Sequence, residues 1–356
     1  MKKTIGIALA LCVTLCVPLA VFGQSQDFAM NGKALVKYEG KSARVTIPEG
    51  VTAIGERAFR NNSSLTSVTI PSSVTHIGNE AFAYCKSLTS ITIPSSVTFI
   101  GYLAFSGCTN LTSITIPAGV YSIGFSAFYG CRSLLSITVD TQNNSYFSEE
   151  GVLFNKKRTV LIKYPEGKQE SNYTIPTGVY SLDNVFHDCR NLISVTIPSS
   201  VTSIGNSPFS GCSSLTKITV DTQNPAYSSV DGVLFNKNRT VLVAYPAGKQ
   251  ERSYFIPSNV SSIGDWAFFG CSGITSVTIP SSVTSIGIDA FSRNRLTKIS
   301  IGSNVTLKYY ESISTDEEGK YLEDIYPFNN GFDEFYISNG SLAGTYTNNN
   351  GTWRKE

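Results

Sequence analysis

Residues 88–93 read L-T-S-I-T-I, in which apolar and polar positions alternate toward the end of the segment. This period of two predicts a short β-strand with Ile91 and Ile93 on a buried face and Thr92 toward solvent. Pro94 offers no N–H to a ladder, so the strand ends there. Val97 and Ile100 turn the chain back inward, and Gly101 is expected at a tight turn with positive φ. Ala104 and Phe105 open a short helical or irregular return. Cys108 and Leu111 close the coil.

The same order of residues recurs along most of the chain as I-P-x-x-V-x-x-I-G-x-x-A-F-x-x-C-x-x-L-T-x-I-T. The Ile-Pro prolines are Pro48, Pro71, Pro94, Pro117, Pro176, Pro198, Pro257 and Pro280, with steps of 23, 23, 23, 59, 22, 59 and 23 residues. Each long step exceeds the common one by 36 residues, so two inserts of equal size interrupt the array. A coil of this length cannot bury its own Ile, Phe and Leu. Stacked coils bury them, each side chain packing on its equivalent in the next coil. Eight coils at a parallel-strand spacing of about 4.8 Å give a rod or shallow arc on the order of 40 Å long before inserts and caps.

The inserts cover about 140–174 and 221–255. Both contain G-V-L-F-N-K, then a polar turn, then Thr159-Val-Leu-Ile-Lys-Tyr-Pro or Thr240-Val-Leu-Val-Ala-Tyr-Pro. Each reads as a β-hairpin that replaces one turn of coil. Its basic tip, Lys156-Lys157-Arg158 or Lys237-Asn238-Arg239, is a candidate contact.

The repeat unit and the G-V-L-F-N-K…V-L…Y-P-x-G-K insert resemble the leucine-rich repeat of the BspA-like bacterial surface antigens, over roughly Leu35 to Gly302. The expected fold is a leucine-rich-repeat solenoid: a parallel β-sheet on one face, short helical or irregular returns on the other, two hairpin inserts and terminal caps. The resemblance also implies a secreted or surface-exposed, non-enzymatic binding or adhesion protein. The boundaries follow as a signal peptide over 1–23, an N-terminal cap over 24–47, the solenoid over 48–303, and a C-terminal cap or tail over 304–356. Asp316 to Lys320 reads as a loop.

The signal assignment rests on Lys2 and Lys3, an apolar run from Ile5 to about Phe22, and small residues before a cut after Gly23. No second long apolar run follows, so no transmembrane segment is expected in the mature chain. Charged residues make up 15% and hydrophobic residues 41%, which argues against disorder. Loss of Lys2 and Lys3 reduces the 28 basic residues to 26, against 26 acidic ones. A formally neutral protein lacks the basic excess of nucleic-acid binders.

Little in the sequence suggests catalysis. The two histidines, His76 and His187, have no evident triad or metal partners. Asp140-Thr-Gln-Asn and Asp221-Thr-Gln-Asn read as Asx-turns, since the calcium-loop pattern is absent. No phosphate-binding glycine loop or nucleophile elbow occurs, and no cofactor is expected. Six cysteines follow the signal: Cys85, Cys108, Cys131, Cys189, Cys212 and Cys271. An even count in an exported chain suggests disulfides. However, all six end an F-x-x-C and so lie in one column with parallel Cβ vectors, which predicts buried free thiols.

Two surfaces could meet a partner. Thr92, Thr115 and Thr138 belong to a row of solvent-facing strand hydroxyls, and hydroxyls in register can satisfy one another. Phe99, Tyr102, Tyr121, Phe125, Tyr129, Trp266 and Phe269 are aromatic where other coils carry small or polar residues, as interface anchors are. The expected partner is a protein or glycan, including host extracellular matrix, met by a monomeric, secreted or surface-bound scaffold. A periplasmic structural or assembly protein is the alternative.

Overall fold

The computed structural model describes residues 27–205, 207–309 and 326–356. The signal assignment over 1–23 and the loop at Asp316 to Lys320 lie outside the described residues.

The molecule is a parallel β-solenoid. One ladder is built from the L-T-x-I-T strands, in register by one repeat. Arg44–Thr46 pairs with Ser67–Thr69, which pairs with Ser90–Ile91. Likewise Ser113–Ile116 pairs with Ser136–Val139, so that Thr115 sits beside Thr138. A second parallel ladder was not expected. It is made of two-residue strands at the x-I preceding each repeat glycine: Ala53–Ile54, His76–Ile77, Phe99–Ile100 and Ser122–Ile123. The returns between the ladders are hydrogen-bonded turns without helix, joined coil to coil through pairs such as Phe82 N to Ala104 O at 2.8 Å.

Gly101 does not have a positive φ; that conformation falls two residues on, at Leu103 (51°), as at Glu80 and Ser126 in the flanking coils. Gly101 is required for a different reason. A Cβ there would stand 2.5 Å from the Gly78 carbonyl carbon and from the Asn79 nitrogen of the preceding coil. Close stacking of backbones therefore selects the glycine.

The phenylalanine column forms a stacked spine. Ring centroids are 5.0 Å apart for Phe59–Phe82, 5.4 Å for Phe82–Phe105 and 5.9 Å for Phe105–Phe128. Each such buried ring contributes roughly 1.5–3 kcal/mol by removal from water. At the start, the hairpin of Phe28–Asn31 and Ala34–Tyr38 lays Tyr38 on Phe59 at 5.2 Å. At the end, Phe328 stacks on Phe291 at 4.7 Å. The helix Phe332–Ser338 follows, and the hairpin Gly344–Asn349/Thr352–Lys355 pairs antiparallel to Lys298–Ile301.

The cysteine column is buried and unpaired in the redox sense: all six thiols are free. Cys85, Cys108, Cys131 and Cys212 donate to the phenylalanine carbonyl one coil back at 2.8–3.1 Å. Where that residue is the tyrosine of an insert the bond lengthens, to 3.8 Å for Cys189 and 3.7 Å for Cys271. Burial pushes the Cys85 and Cys131 thiols up to about 12, which suppresses thiolate chemistry.

Each insert is a three-stranded meander, more than the single hairpin expected. In the first, Tyr146–Glu149 pairs antiparallel with Val152–Asn155, which pairs with Val160–Lys163 across the expected polar turn. Val160–Lys163 then continues the short-strand ladder into Ser181–Leu182. Lys156 and Arg158 do not project as free contacts: the former bonds the Asn143 carbonyl, and the latter pairs with Glu149 and lies over the Phe147 ring. Lys237 is likewise turned back, onto the Thr222 and Asn224 carbonyls.

Candidate binding groove

Three residue columns flank each cysteine, at two before, one before and one after. The column one after the cysteine faces outward at Lys86, Arg132, Arg190 and Ser213, whereas the column two before it is buried at Ala83, Ser106 and Ser210 and opens at Tyr129, His187 and Phe269. The residue just before the cysteine adopts positive φ in all six cysteine coils: Tyr84 (60°), Gly107 (69°), Gly130 (72°), Asp188 (55°), Gly211 (76°) and Gly270 (71°). The solenoid is concave here. Side chains from Tyr84 to Asn330 line one groove of about 1070 Å3. The bend brings the Arg293 charge close enough to act on both Tyr129 and His187.

At the middle of the groove Tyr129 and His187 meet across the first insert. Their rings lie 4.3 Å apart, and the hydroxyl and Nε2 share a hydrogen bond of 2.9 Å. Burial holds the His187 imidazole down at about 4, against the pull of neighbouring Asp188, so it is neutral at physiological pH. Burial, with the Asp188 and Glu166 charges, raises the Tyr129 hydroxyl. Beside them Arg132 directs Nε and Nη2 to Asp188 at 3.2 and 3.1 Å, and Arg190 approaches the same carboxylate at 3.5 Å.

Toward the C-terminal end, Trp266 and Phe269 pack at 4.6 Å, and the Arg293 guanidinium lies 5.0 Å over the Phe269 ring. Asn329 binds Asp289 at 2.7 Å and Ser292 at 3.0 Å, tying the C-terminal segment to the wall. Lys86, Arg132, Arg190 and Arg293 face the groove with only Asp188 and Asp289 as carboxylates, so its lining is net positive.

The residues expected from the sequence divide between surfaces. Tyr129, Trp266 and Phe269 line the groove. Phe125, 60% exposed, stands at a separate crevice of about 340 Å3 between the fourth coil and the first insert. Tyr102 and Tyr121 are exposed and outside both, and Phe99 is half-buried in the short-strand ladder beside His76. Thr115 and Thr138 are exposed on the long-strand ladder, and Thr92, expected within a strand, is exposed just past the end of Ser90–Ile91; all three lie away from the groove. Inter-coil hydroxyl bonds come from other columns and run to carbonyls: Thr98 Oγ1 to Thr75 O at 3.2 Å, Ser96 Oγ to Val74 O at 2.7 Å.

Tyr84, Arg132, His187 and Arg293 were not anticipated as site residues. Their signal is positional: each lies within two residues of the cysteine column. His187, for which the sequence offered no evident triad or metal partner, packs at a tilt against the Tyr129 ring and shares a hydrogen bond with its hydroxyl. Among the described residues no group of His, Cys, Asp and Glu side chains is placed to hold a metal.

The repeat geometry just described is matched by a family profile, the BspA type Leucine rich repeat region, in six copies over residues 35–154, 167–240 and 247–316. The chain belongs to this family. BspA-type repeats are therefore what builds the groove. Among solved structures, a leucine-rich repeat protein from Eubacterium ventriosum shares 24% identity over 81% of this chain and 92% of its own, with a TM-score of 0.52, and supports the fold. A leucine rich cell surface protein from Faecalibacterium prausnitzii is 29% identical over 78% of this chain and 95% of its own, with a TM-score of 0.39. The pneumococcal vaccine antigen PcpA is 23% identical over 79% and 70%, with a TM-score of 0.42. No curated protein matches the chain.

Proposed function

We propose that the chain is an exported surface protein, a monomeric adhesion scaffold that holds an extracellular protein or glycan in the concave groove and performs no catalysis. The observation that carries this reading is the groove itself. Aromatic and guanidinium side chains from separate coils converge on it, already fixed by stacking and ion pairs. Such preorganisation reduces the ordering cost of binding. Buried aromatic and arginine side chains are the usual energetic anchors of recognition. The BspA-type repeat is a scaffold for binding in bacterial surface proteins, and the signal-like start of the chain supports export. No helix among the described residues is long and apolar enough to cross a membrane.

The test combines location with binding. Surface biotinylation of intact cells should label the protein, and a pull-down with matrix proteins and glycans should capture it. Replacing Arg132 and Arg293 by Ala should weaken capture, whereas Tyr121→Ala should not. Protein confined within the envelope would refute the surface role. Capture untouched by the groove variants would refute the groove.

A further inference from the structure

We propose that the ligand of the groove is a polysaccharide carrying carboxylate or sulfate groups. The inference rests on the groove being the binding site, and names the chemistry that fits it.

Charge comes first. The chain as a whole carries a formal net charge of only +2, yet four cations and two carboxylates line this cavity. Asp188 is already shared by Arg132 and Arg190, and Asp289 is occupied by Asn329 and Ser292. Lys86 and Arg293 have no ion pair among the described residues, and both are exposed. Guanidinium groups match planar carboxylates and sulfates through paired N–H donors.

Shape and hydrogen bonding then separate a glycan from an acidic polypeptide. A polypeptide in a β-lined groove gains most by adding a strand to a free edge. Where coil adjoins coil, the groove wall offers no such edge along its turns, because the turn amides donate to carbonyls of the next coil. Tyr84 N reaches Ser106 O at 2.6 Å, Gly107 N reaches Tyr129 O at 2.7 Å, and Gly270 N reaches Ser292 O at 2.9 Å. What the wall offers instead is ring faces and side-chain polar groups. Tyr84 and Tyr129 are 42% and 36% exposed, and the C–H faces of sugar rings pack on such surfaces. One coil advances the wall by about 4.8 Å, comparable to one pyranose unit of an extended glycan.

The wall also holds unmet polar capacity. Asn294 Nδ2 and Oδ1 and His187 Nδ1 are buried without partners. Asn62 in the same column accepts from Leu65 N at 3.1 Å and Ser64 Oγ at 2.9 Å. Coil eight is one residue shorter, and its leucine, Leu296, follows Asn294 by two positions instead of three, so this closure is lost. Buried polar groups are rarely left unpaired without a role, and hydroxyl-rich ligands supply both donors and acceptors.

The experiment titrates the full chain with hyaluronate, chondroitin sulfate, neutral dextran and poly-glutamate. Variants are Arg293→Ala, Tyr129→Ala, Tyr129→Phe and the outside control Tyr121→Ala, each checked for an unchanged melting temperature. Hyaluronate binding alone would identify a carboxylate site, and chondroitin sulfate binding alone a sulfate site. In either case binding should weaken roughly tenfold or more in Arg293→Ala and Tyr129→Ala, a loss of about 1.4 kcal/mol. Tyr129→Phe should retain most of it, and Tyr121→Ala all of it. Dextran or poly-glutamate binding as tightly as the acidic glycans would overturn the glycan assignment. So would a protein ligand lost on Arg293→Ala while no polymer binds, although the groove would then stand. Glycan binding indifferent to every groove variant would overturn the groove instead.

Discussion

His187 is half-buried and Asp333 fully buried, and desolvation moves these two titratable side chains in ways that act on stability with opposite signs. The imidazole is held at about 4, below its ordinary 6.5. Its contribution is complete above pH 6.5 and is lost as pH falls toward 4, because the unfolded chain takes up a proton that the folded one refuses. The Asp333 carboxyl is raised to about 6 by burial, although the Phe328 and Asn329 amides pull it down. A folded carboxyl that holds its proton contributes most below pH 3.8 and loses that contribution as pH rises through about 6. His187→Gln should therefore flatten the fall of melting temperature between pH 6.5 and 4. Asp333→Asn should remove a decline between pH 4 and 6, leaving a variant that gains relative to wild type as pH rises. Melting curves over pH 3.5–8 check both, and parallel curves for all three proteins would refute the argument.

At the scale of the element, the two inserts look alike in sequence but differ at one buried pair. Lys163 and Glu166 are 7% and 3% exposed and joined at 2.9 Å, with Glu166 also accepting from Gly130 N at 2.8 Å. Burial works against the Lys163 charge, and Glu166 more than offsets it, leaving the ammonium above its usual range. The second insert has Ala244 and Ala247 at these places. Removing one partner strands a buried charge and should cost about 3–5 kcal/mol, whereas removing both is often close to neutral. Lys163→Ala or Glu166→Ala alone should sharply lower the midpoint of urea unfolding. The double variant, which copies the second insert, should recover most of the loss; additive losses would sink the idea. Aligning the inserts reveals this difference in the sequence, but not that the two side chains meet. The strands over 113–116 and 136–139 were legible because Ile and Thr alternate, and the spine because Phe recurs with the period. The second ladder was not, since two residues are too few to show a period. The groove was legible only in part. Tyr129 and Phe269 stood out against Ser106, Ser210 and Ser292 in their column, and Trp266 against Ser126, Asn184 and Asp289 in its own. Arg132, His187 and Arg293 instead resemble ordinary solvated surface until the curvature of the stack brings them together.

At the scale of the molecule, the inserts divide the spine. The buried core falls into three clusters, and their boundaries run through the inserts. Alternation along one short strand joins them. In Val152–Asn155, Leu153 packs with the N-terminal cluster while Val152 and Phe154 pack with the middle one. In Val233–Asn236, Leu234 packs with the middle cluster while Val233 and Phe235 pack with the C-terminal one. Aromatic stacking runs unbroken from Tyr245 through Phe268 and Phe291 to Phe328. In a stack whose coils touch only their neighbours, stability is approximately a sum of local and nearest-neighbour terms, so damage spreads only as far as coupling allows. Phe328→Ala removes a fully buried ring at the C-terminal end, a loss of about 3–5 kcal/mol. Hydrogen exchange should then show protection falling from residue 233 to the C-terminus, with a smaller loss over 152–220 and none over 28–139. The one-strand joints at the inserts would set those steps. Equal loss of protection along the whole chain would mean that the inserts transmit stability as well as ordinary coils do, and the three-block picture would fail.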